Sequence, residues 1–162
     1  MEKSVRSVRL EPFTEDEFGP WEERRVETYA RSNVNAGFWS AAEGLAKSRE
    51  AFDQLLPKGL ATPDNHLWMA HDAETDEQVG TLWIAMRALG KSNEAYICFV
   101  GVDEAHQGKG YGRALMHAAT DAGRQLGATS MGLNVFGDNT RAQNLYHSLG
   151  YVVQAQSMRL DL

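Results

Sequence analysis

Three features of the 162-residue chain predict an α/β fold. Helical and strand periodicities alternate along it. Its most apolar strand, 94–102, runs through a glycine-spaced loop into a helical stripe. Two further apolar runs, 66–71 and 79–86, flank the polar segment 72–77 as arms of an antiparallel hairpin.

The length fits one domain spanning residues 1–162, long enough to bury a substantial core. At 43% apolar and 23% charged residues, the composition is that of a soluble globular protein and not of a disordered chain. No apolar run approaches the ~20 residues that cross a bilayer. The opening residues lack the apolar segment of a signal peptide, so a cytoplasmic location is expected. A net charge of −6 disfavours nonspecific binding to nucleic acid and mildly favours a cationic substrate such as an amine. Cys98 is the single cysteine, which excludes an internal disulfide. His66 and His71, five apart, face opposite ways on a regular strand, so no metal is expected.

In chain order, Val5, Val8 and Leu10 mark a short first strand. Thr14 and Glu17 have capping-box spacing, and Phe13 and Phe18 sit as a hydrophobic staple, so a helix starts there. Gly19-Pro20 is expected to break or bend it before Trp21, Val26 and Tyr29. Residues 33–39 read as a loop, whose Phe38 and Trp39 either line a site or pack on the core. A second helix is expected from Ser40, with Glu43 completing a capping box and Leu45, Ser48, Phe52, Leu55 and Leu56 at helical spacing. Pro57 and Gly59 stop it. Gly101, inside the strand 94–102, marks a bulge or a close backbone approach by a ligand. Leu115, Ala118, Ala119, Ala122 and Leu126 form the next helical stripe, ended by Gly127. A strand at 130–135 follows. A last helix opens near Asp138 or Asn139, carries Ala142, Leu145, Tyr146 and Leu149, and ends at Gly150. Segments 151–153 and 157–162 read as a closing pair of strands.

Gly108, Gly110 and Gly112 alternate at the junction between strand and helix. Glycine there permits left-handed backbone angles, and the first-turn N–H groups with the helix dipole behind them make an anion site. A dinucleotide fingerprint would need glycine where Arg113 stands, and a P-loop would need Ser or Thr where Gly110 follows Lys109. An ordinary glycine-rich turn remains open on these residues alone.

The pattern Gln107-x-x-Gly110-x-Gly112 after an apolar strand resembles the acyl-CoA pyrophosphate loop of the GNAT superfamily of N-acetyltransferases. Asn139-x-x-Ala142-x-x-Leu145-Tyr146-x-x-Leu149-Gly150-Tyr151 resembles that superfamily's other signature, in the expected order. The two cover about 94–151. The resemblance implies a mixed, mainly antiparallel twisted sheet flanked by helices and split between strands four and five, where the thioester enters. It implies that the backbone of Val100, Gly101 and Val102 pairs with the pantetheine arm. Gln107, Gly108, Lys109, Gly110, Tyr111, Gly112 and Arg113 would hold the pyrophosphate of acetyl-CoA. Asn139 would bond the pantetheine or cap its helix. Glu104 replaces a frequent proline, at little cost because main-chain amides make the site.

By the same resemblance the chain is an acetyl-CoA-dependent N-acetyltransferase acting on a primary amine by direct attack in a ternary complex. An amine of pKa near ~10 must lose a proton before attack, and a thiolate comparable to a thiol of pKa ~8.5 gains from a proton donor as it leaves. Tyr146 stands at the family's donor position, its other reading being a packed aromatic. Some relatives place a glutamate base on the fifth strand, but the matching residue is Asn134, which accepts no proton usefully. Glu94 is the candidate base, directly or through water, or else a solvated strand-end carboxylate. Cys98 is expected to pack as a small hydrophobe and not to act as a nucleophile. A small-molecule amine is the favoured acceptor, with a protein N-terminus or lysine as the alternative. Trp39, Trp68, Trp83 and Tyr96 either line its pocket or pack in the core. A non-catalytic acyl-CoA-binding module and another kind of phosphate-handling enzyme remain open, and a homodimer is the default assembly.

Overall fold

The computed structural model describes residues 5–162. The chain divides into two compact units, one ending at Gly132 and the other Leu133–Leu162.

In the first unit, β1 (Val8–Pro12), β2 (Asn65–Asp72), β3 (Gln78–Leu89) and β4 (Ser92–Val102) form consecutive antiparallel neighbours. The short strand β5 (Ser130–Leu133) follows β4 in the sheet and runs parallel to it, so the sheet is mixed. A parallel neighbour requires a crossover, and α3 (Tyr111–Gln125) supplies it. α1 (Glu15–Asn35) and α2 (Gly44–Leu55) connect β1 to β2 and pack on each other.

One core cluster joins Phe13, Phe18, Trp21 and Val26 to Phe52, Leu56, Leu67, Met69 and Trp83. Trp21 is its centre: its ring lies within about 6 Å of the rings of Phe13, Phe18, Trp83 and Phe99. The expected staple is thus realised, since Phe13 and Phe18 are both buried against the same indole. The Glu17 carboxylate also accepts the Thr14 N–H at 2.8 Å, as the capping-box spacing implied. On the other sheet face, Leu115, Met116 and Ala119 of α3 are buried, and Gly123 lies so close to Ala95 that an added Cβ would be 3.2 Å from that methyl.

Four expectations need correction. α1 does not break at Gly19-Pro20 but continues unbroken to Asn35. A proline this near the N-terminus forfeits one helical hydrogen bond, and the buried Phe18 and Trp21 anchor the chain on either side of it. α2 starts at Gly44 and not Ser40; the Ser40 hydroxyl instead bonds the Glu43 carboxylate at 2.7 Å, stabilising the turn before the helix. Leu45 and Leu55 are exposed, and the buried face of α2 is Gly44, Ser48 and Phe52, with the Ser48 hydroxyl donating to the Val26 carbonyl at 2.7 Å. Residues 151–162 form no strands. Met158, Leu160 and Leu162 alternate as a strand would, but alternation becomes a strand only through a hydrogen-bonded neighbour, and these side chains are exposed.

Within the second unit, α4 (Thr140–Ser148) is capped by Asn139, whose side chain accepts from the Ala142 N–H at 3.2 Å, and Gly150 at φ 92° follows its C-terminus.

Trp21→Ala should cost about 3–5 kcal/mol, because the indole is fully enclosed and four aromatic neighbours lose their contact surface. Equilibrium denaturant unfolding of wild type and variant measures it.

Candidate functional site

β4 ends at Val102, and the chain leaves it through one 3-10 turn, Glu104–His106. Asp103 N–H bonds the Val79 carbonyl at 2.9 Å, which holds the turn to β3. The Gln107 side-chain amide donates back to the Val102 carbonyl at 3.2 Å, so the head of the loop is tied to the strand that delivers it. Gly108 at φ 75° and Gly110 at φ 91° both take left-handed angles, a region that costs an L-residue about 1–2 kcal/mol. Gly112 is already helical.

α3 begins at Tyr111 with Gly110 as its N-cap, a residue with no side chain to cap the first turn. Ala114 N–H bonds the Gly110 carbonyl at 3.3 Å. The amides of Tyr111 and Gly112 precede the first helical acceptor, so the helix itself offers them none at the positive end of its dipole. Residues 107–110 and Arg113 are exposed around them. A helix start of this kind is suited in general to an anion, and a phosphate group matches it in charge and in hydrogen-bond capacity.

Behind the loop stands a residue that the sequence reading treated as part of a polar surface turn. Asp72 is 2% exposed. Its Oδ1 accepts the N–H groups of Glu74 and Thr75 at 2.8 and 2.9 Å, turning the β2–β3 hairpin. Its Oδ2 accepts the Tyr111 hydroxyl at 2.5 Å and lies 3.5 Å from Arg6. The Tyr111 hydroxyl foremost, then the Thr75 and Glu74 amides, lower the Asp72 carboxyl from 3.8 to about 2. A carboxylate before a polar turn was a readable turn signal. Its partner 39 residues away was not.

β4 also corrects the expected bulge. Trp83 pairs with Phe99 and Ile84 with Ile97, so Cys98, and not Gly101, is the extra residue. The bulge shifts the strand's phase, and the consecutive Cys98 and Phe99 both pack on the core cluster. Gly101 is instead crowded by the protein itself: a Cβ there would sit 2.6 Å from the Phe99 ring, and a Cβ on Gly80 would sit 2.3 Å from the Gly101 carbonyl oxygen. Val100, Gly101 and Val102 pair with Leu82, Thr81 and Gly80 of β3 and are each half-buried. Burial raises the Cys98 thiol to about 11.

Glu94 lies toward the other end of β4, seven ladder positions and about 23 Å along the strand from Val102. Its carboxylate occupies the space that a side chain on Gly132 would fill, with Oε2 at 2.7 Å from that Cβ position. Arg87, opposite Glu94 in register, places its guanidinium 3.5 Å from the centroid of the Tyr96 ring. Trp83 is a core residue, with its indole N–H donating to Asn65 at 2.8 Å, whereas Trp39 and Trp68 are half-buried.

In the second unit, Tyr146 sits on α4 with its ring 5.7 Å from that of Tyr151, and burial raises its phenol, keeping it protonated at neutral pH. Asn134 follows the end of β5. Among the described residues, no group of three or more His, Cys, Asp or Glu could hold a metal ion, and no helix is long and apolar enough to cross a membrane.

A mixed sheet with a helix start after a glycine loop is the arrangement that the resemblance to GNAT acyltransferases implies, and comparison with known proteins agrees. The acetyltransferase (GNAT) family model matches residues 10–151, and the chain belongs to that family. It is 31% identical over 153 residues to the uncharacterized N-acetyltransferase YdgE of Bacillus subtilis, covering 94% of this chain and 97% of that one. It is 34% identical over 145 residues to YycN of the same organism, covering 90% and 92%. The YycN crystal structure superposes with a TM-score of 0.91 over 96% of this chain and 99% of that chain. The mycothiol acetyltransferase of Renibacterium salmoninarum is 40% identical over 80 residues, but the match spans 24% of its length.

Two measurements check this geometry. Gly110→Ala should lose about 1–2 kcal/mol in denaturant unfolding, because its φ is left-handed. The native Asp72 carboxyl titrates below the ordinary value, so as pH falls the unfolded chain takes up the proton first. The stability this group contributes is complete above about pH 4 and is lost as pH falls toward about 2. Unfolding midpoints should therefore fall more steeply across that window in wild type than in Asp72→Asn.

Proposed function

We propose that the chain is an acetyl-CoA-dependent N-acetyltransferase that acts as one functional domain and acetylates a primary amine of a small molecule. The uncapped start of α3 is the observation that carries this reading: donors with no acceptor in their own helix, behind two left-handed glycines, fit a diphosphate. Family membership across residues 10–151, spanning both units, supports acetyl transfer. The acidic net charge favours an acceptor that arrives as an ammonium ion.

The amides of residues 108–113 would bind the diphosphate, with Lys109 and Arg113 adding charge. The main chain of Val100, Gly101 and Val102 would pair with the amides of the pantetheine arm as an added strand does. When bound, the thioester supplies an activated acyl carbonyl. Glu94 would accept the proton that the acceptor ammonium must lose, directly or through water, and Tyr146 would donate a proton to the departing thiolate. The burial that keeps the Tyr146 phenol protonated suits a donor. Asn139 would fix the start of α4 through its cap. A covalent route through Cys98 is disfavoured, since a thiol raised to about 11 is not a thiolate at neutral pH. Direct attack by the amine in a ternary complex is the simpler course.

Calorimetry with acetyl-CoA, followed by a thiol-release assay over small amines, amino acids, polyamines and peptides, tests the reading. Acetyl-CoA should bind, and at least one small amine should release thiol. Tyr146→Phe and Glu94→Gln should each lower kcat by about 10²–10⁴ while binding of acetyl-CoA persists. Cys98→Ala should keep wild-type turnover. Absence of acetyl-CoA binding would refute the proposal. Binding with no responsive acceptor would leave an acyl-CoA-binding module, and turnover with peptides alone would make the acceptor a protein.

A further inference from the structure

We propose that Asp72 is a positioning residue for the glycine loop: through the Tyr111 hydroxyl, it sets the angle at which the first amides of α3 face the diphosphate. The inference rests on the reading of that loop as a diphosphate site.

Tyr111 is the first residue of α3 and follows the left-handed Gly110 directly. A glycine without Cβ leaves the direction of the exit helix weakly determined, so whatever holds Tyr111 determines where the neighbouring N–H groups point. Tyr111 is 5% exposed and is held from several segments at once. Its hydroxyl donates to Asp72 Oδ2 at 2.5 Å, at the end of β2. The Arg6 guanidinium lies 5.1 Å from its ring centroid and 3.5 Å from the same carboxylate. The Arg6 stem also runs beside Gly110, its Cγ 3.6 Å from where a Cβ on that glycine would sit. On the loop's entry side, the His106 ring packs edge-on against Tyr111 at 5.6 Å and 89°. His106 Nε2 in turn lies 3.4 Å from Glu77. The entry and exit of the loop are thereby fastened to one aromatic ring, and that ring is fastened to one buried carboxylate.

Asp72 is unsuited to chemistry of its own. Its four hydrogen-bonded or charged partners occupy both oxygens, and a carboxyl lowered to about 2 is too weak a base to deprotonate an ammonium. What it supplies is preorganisation. Donors already fixed in the binding geometry lose no further freedom when the anion arrives, and that saving appears as affinity. The benefit falls on ligands that carry the diphosphate and not on those that lack it.

The test compares wild type, Tyr111→Phe, Asp72→Asn and the double variant. Calorimetric affinity for coenzyme A, kcat and KM with acetyl-CoA and with acetyl-pantetheine, and melting midpoints are measured, all assays well below each midpoint. Tyr111→Phe is the milder change, because it leaves the Asx turn of Asp72 intact and keeps the experiment informative if Asp72→Asn folds poorly. Positioning predicts that Tyr111→Phe weakens coenzyme A binding roughly tenfold and raises KM for acetyl-CoA alike. It predicts unchanged kcat at saturation, unchanged kinetics with acetyl-pantetheine, and a double variant no weaker than Asp72→Asn alone. A lowered melting midpoint with unchanged coenzyme A affinity in Tyr111→Phe would overturn the proposal, leaving the pair a fold-stabilising contact. Equal losses with acetyl-pantetheine would overturn it as well. If wild type fails to bind coenzyme A, the diphosphate reading itself falls and this proposal with it, an outcome distinct from the other two.

Discussion

A helix that starts without a cap leaves hydrogen-bond donors that the rest of that helix cannot satisfy, and α3 starts in this way. Buried, such a start would be a liability; exposed behind two left-handed glycines, it has the form that the proposed diphosphate site requires. Much of the surrounding structure serves to present it. β4 delivers the chain to the loop, Gln107 ties the loop's head to Val102, and Asp72 grips the first residue of the helix from the neighbouring hairpin. The buried stripe of α3 sits against the sheet, so the dipole behind the amides cannot swing.

The bulge at Cys98 is the second organising feature. A regular strand would send Phe99 to the α3 side of the sheet; the extra residue returns it to the face of Trp21 and Trp83. Phe99 then lies over Gly101, with the Arg25 guanidinium 4.5 Å from its ring centroid. The packing demand of the core thus places a ring over the strand just before the loop. Gly101 is required by the ring above it and not by its backbone angle.

Local chemistry made much of this legible in the sequence. The glycine spacing located the loop, Phe13 and Phe18 located the staple, and Gly127 and Gly150 located two helix ends, because each signal acts within a few residues. What escaped depends on partners distant in the chain. Pro20 reads as a breaker until Trp21 is seen buried beneath it. Gly101 reads as a bulge until the register with β3 assigns the extra residue to Cys98. Asp72 reads as one more polar turn residue, since nothing near it announces Tyr111. The alternation in 151–162 showed which residues could share a strand face, but not whether a neighbour pairs with them. The candidate base and donor, Glu94 and Tyr146, rest on pattern and chemistry, whereas the proposed diphosphate loop rests also on its own geometry.

Backbone amide resonances report most directly on that loop. Titration of isotope-labelled protein with acetyl-CoA and, separately, with acetyl-pantetheine should shift the N–H signals of Gly110, Tyr111, Gly112 and Arg113 strongly with the first ligand. With the second ligand, which lacks the diphosphate, those signals should stay in place. Loop amides unmoved by acetyl-CoA, with the perturbation lying elsewhere in the chain, would contradict the account.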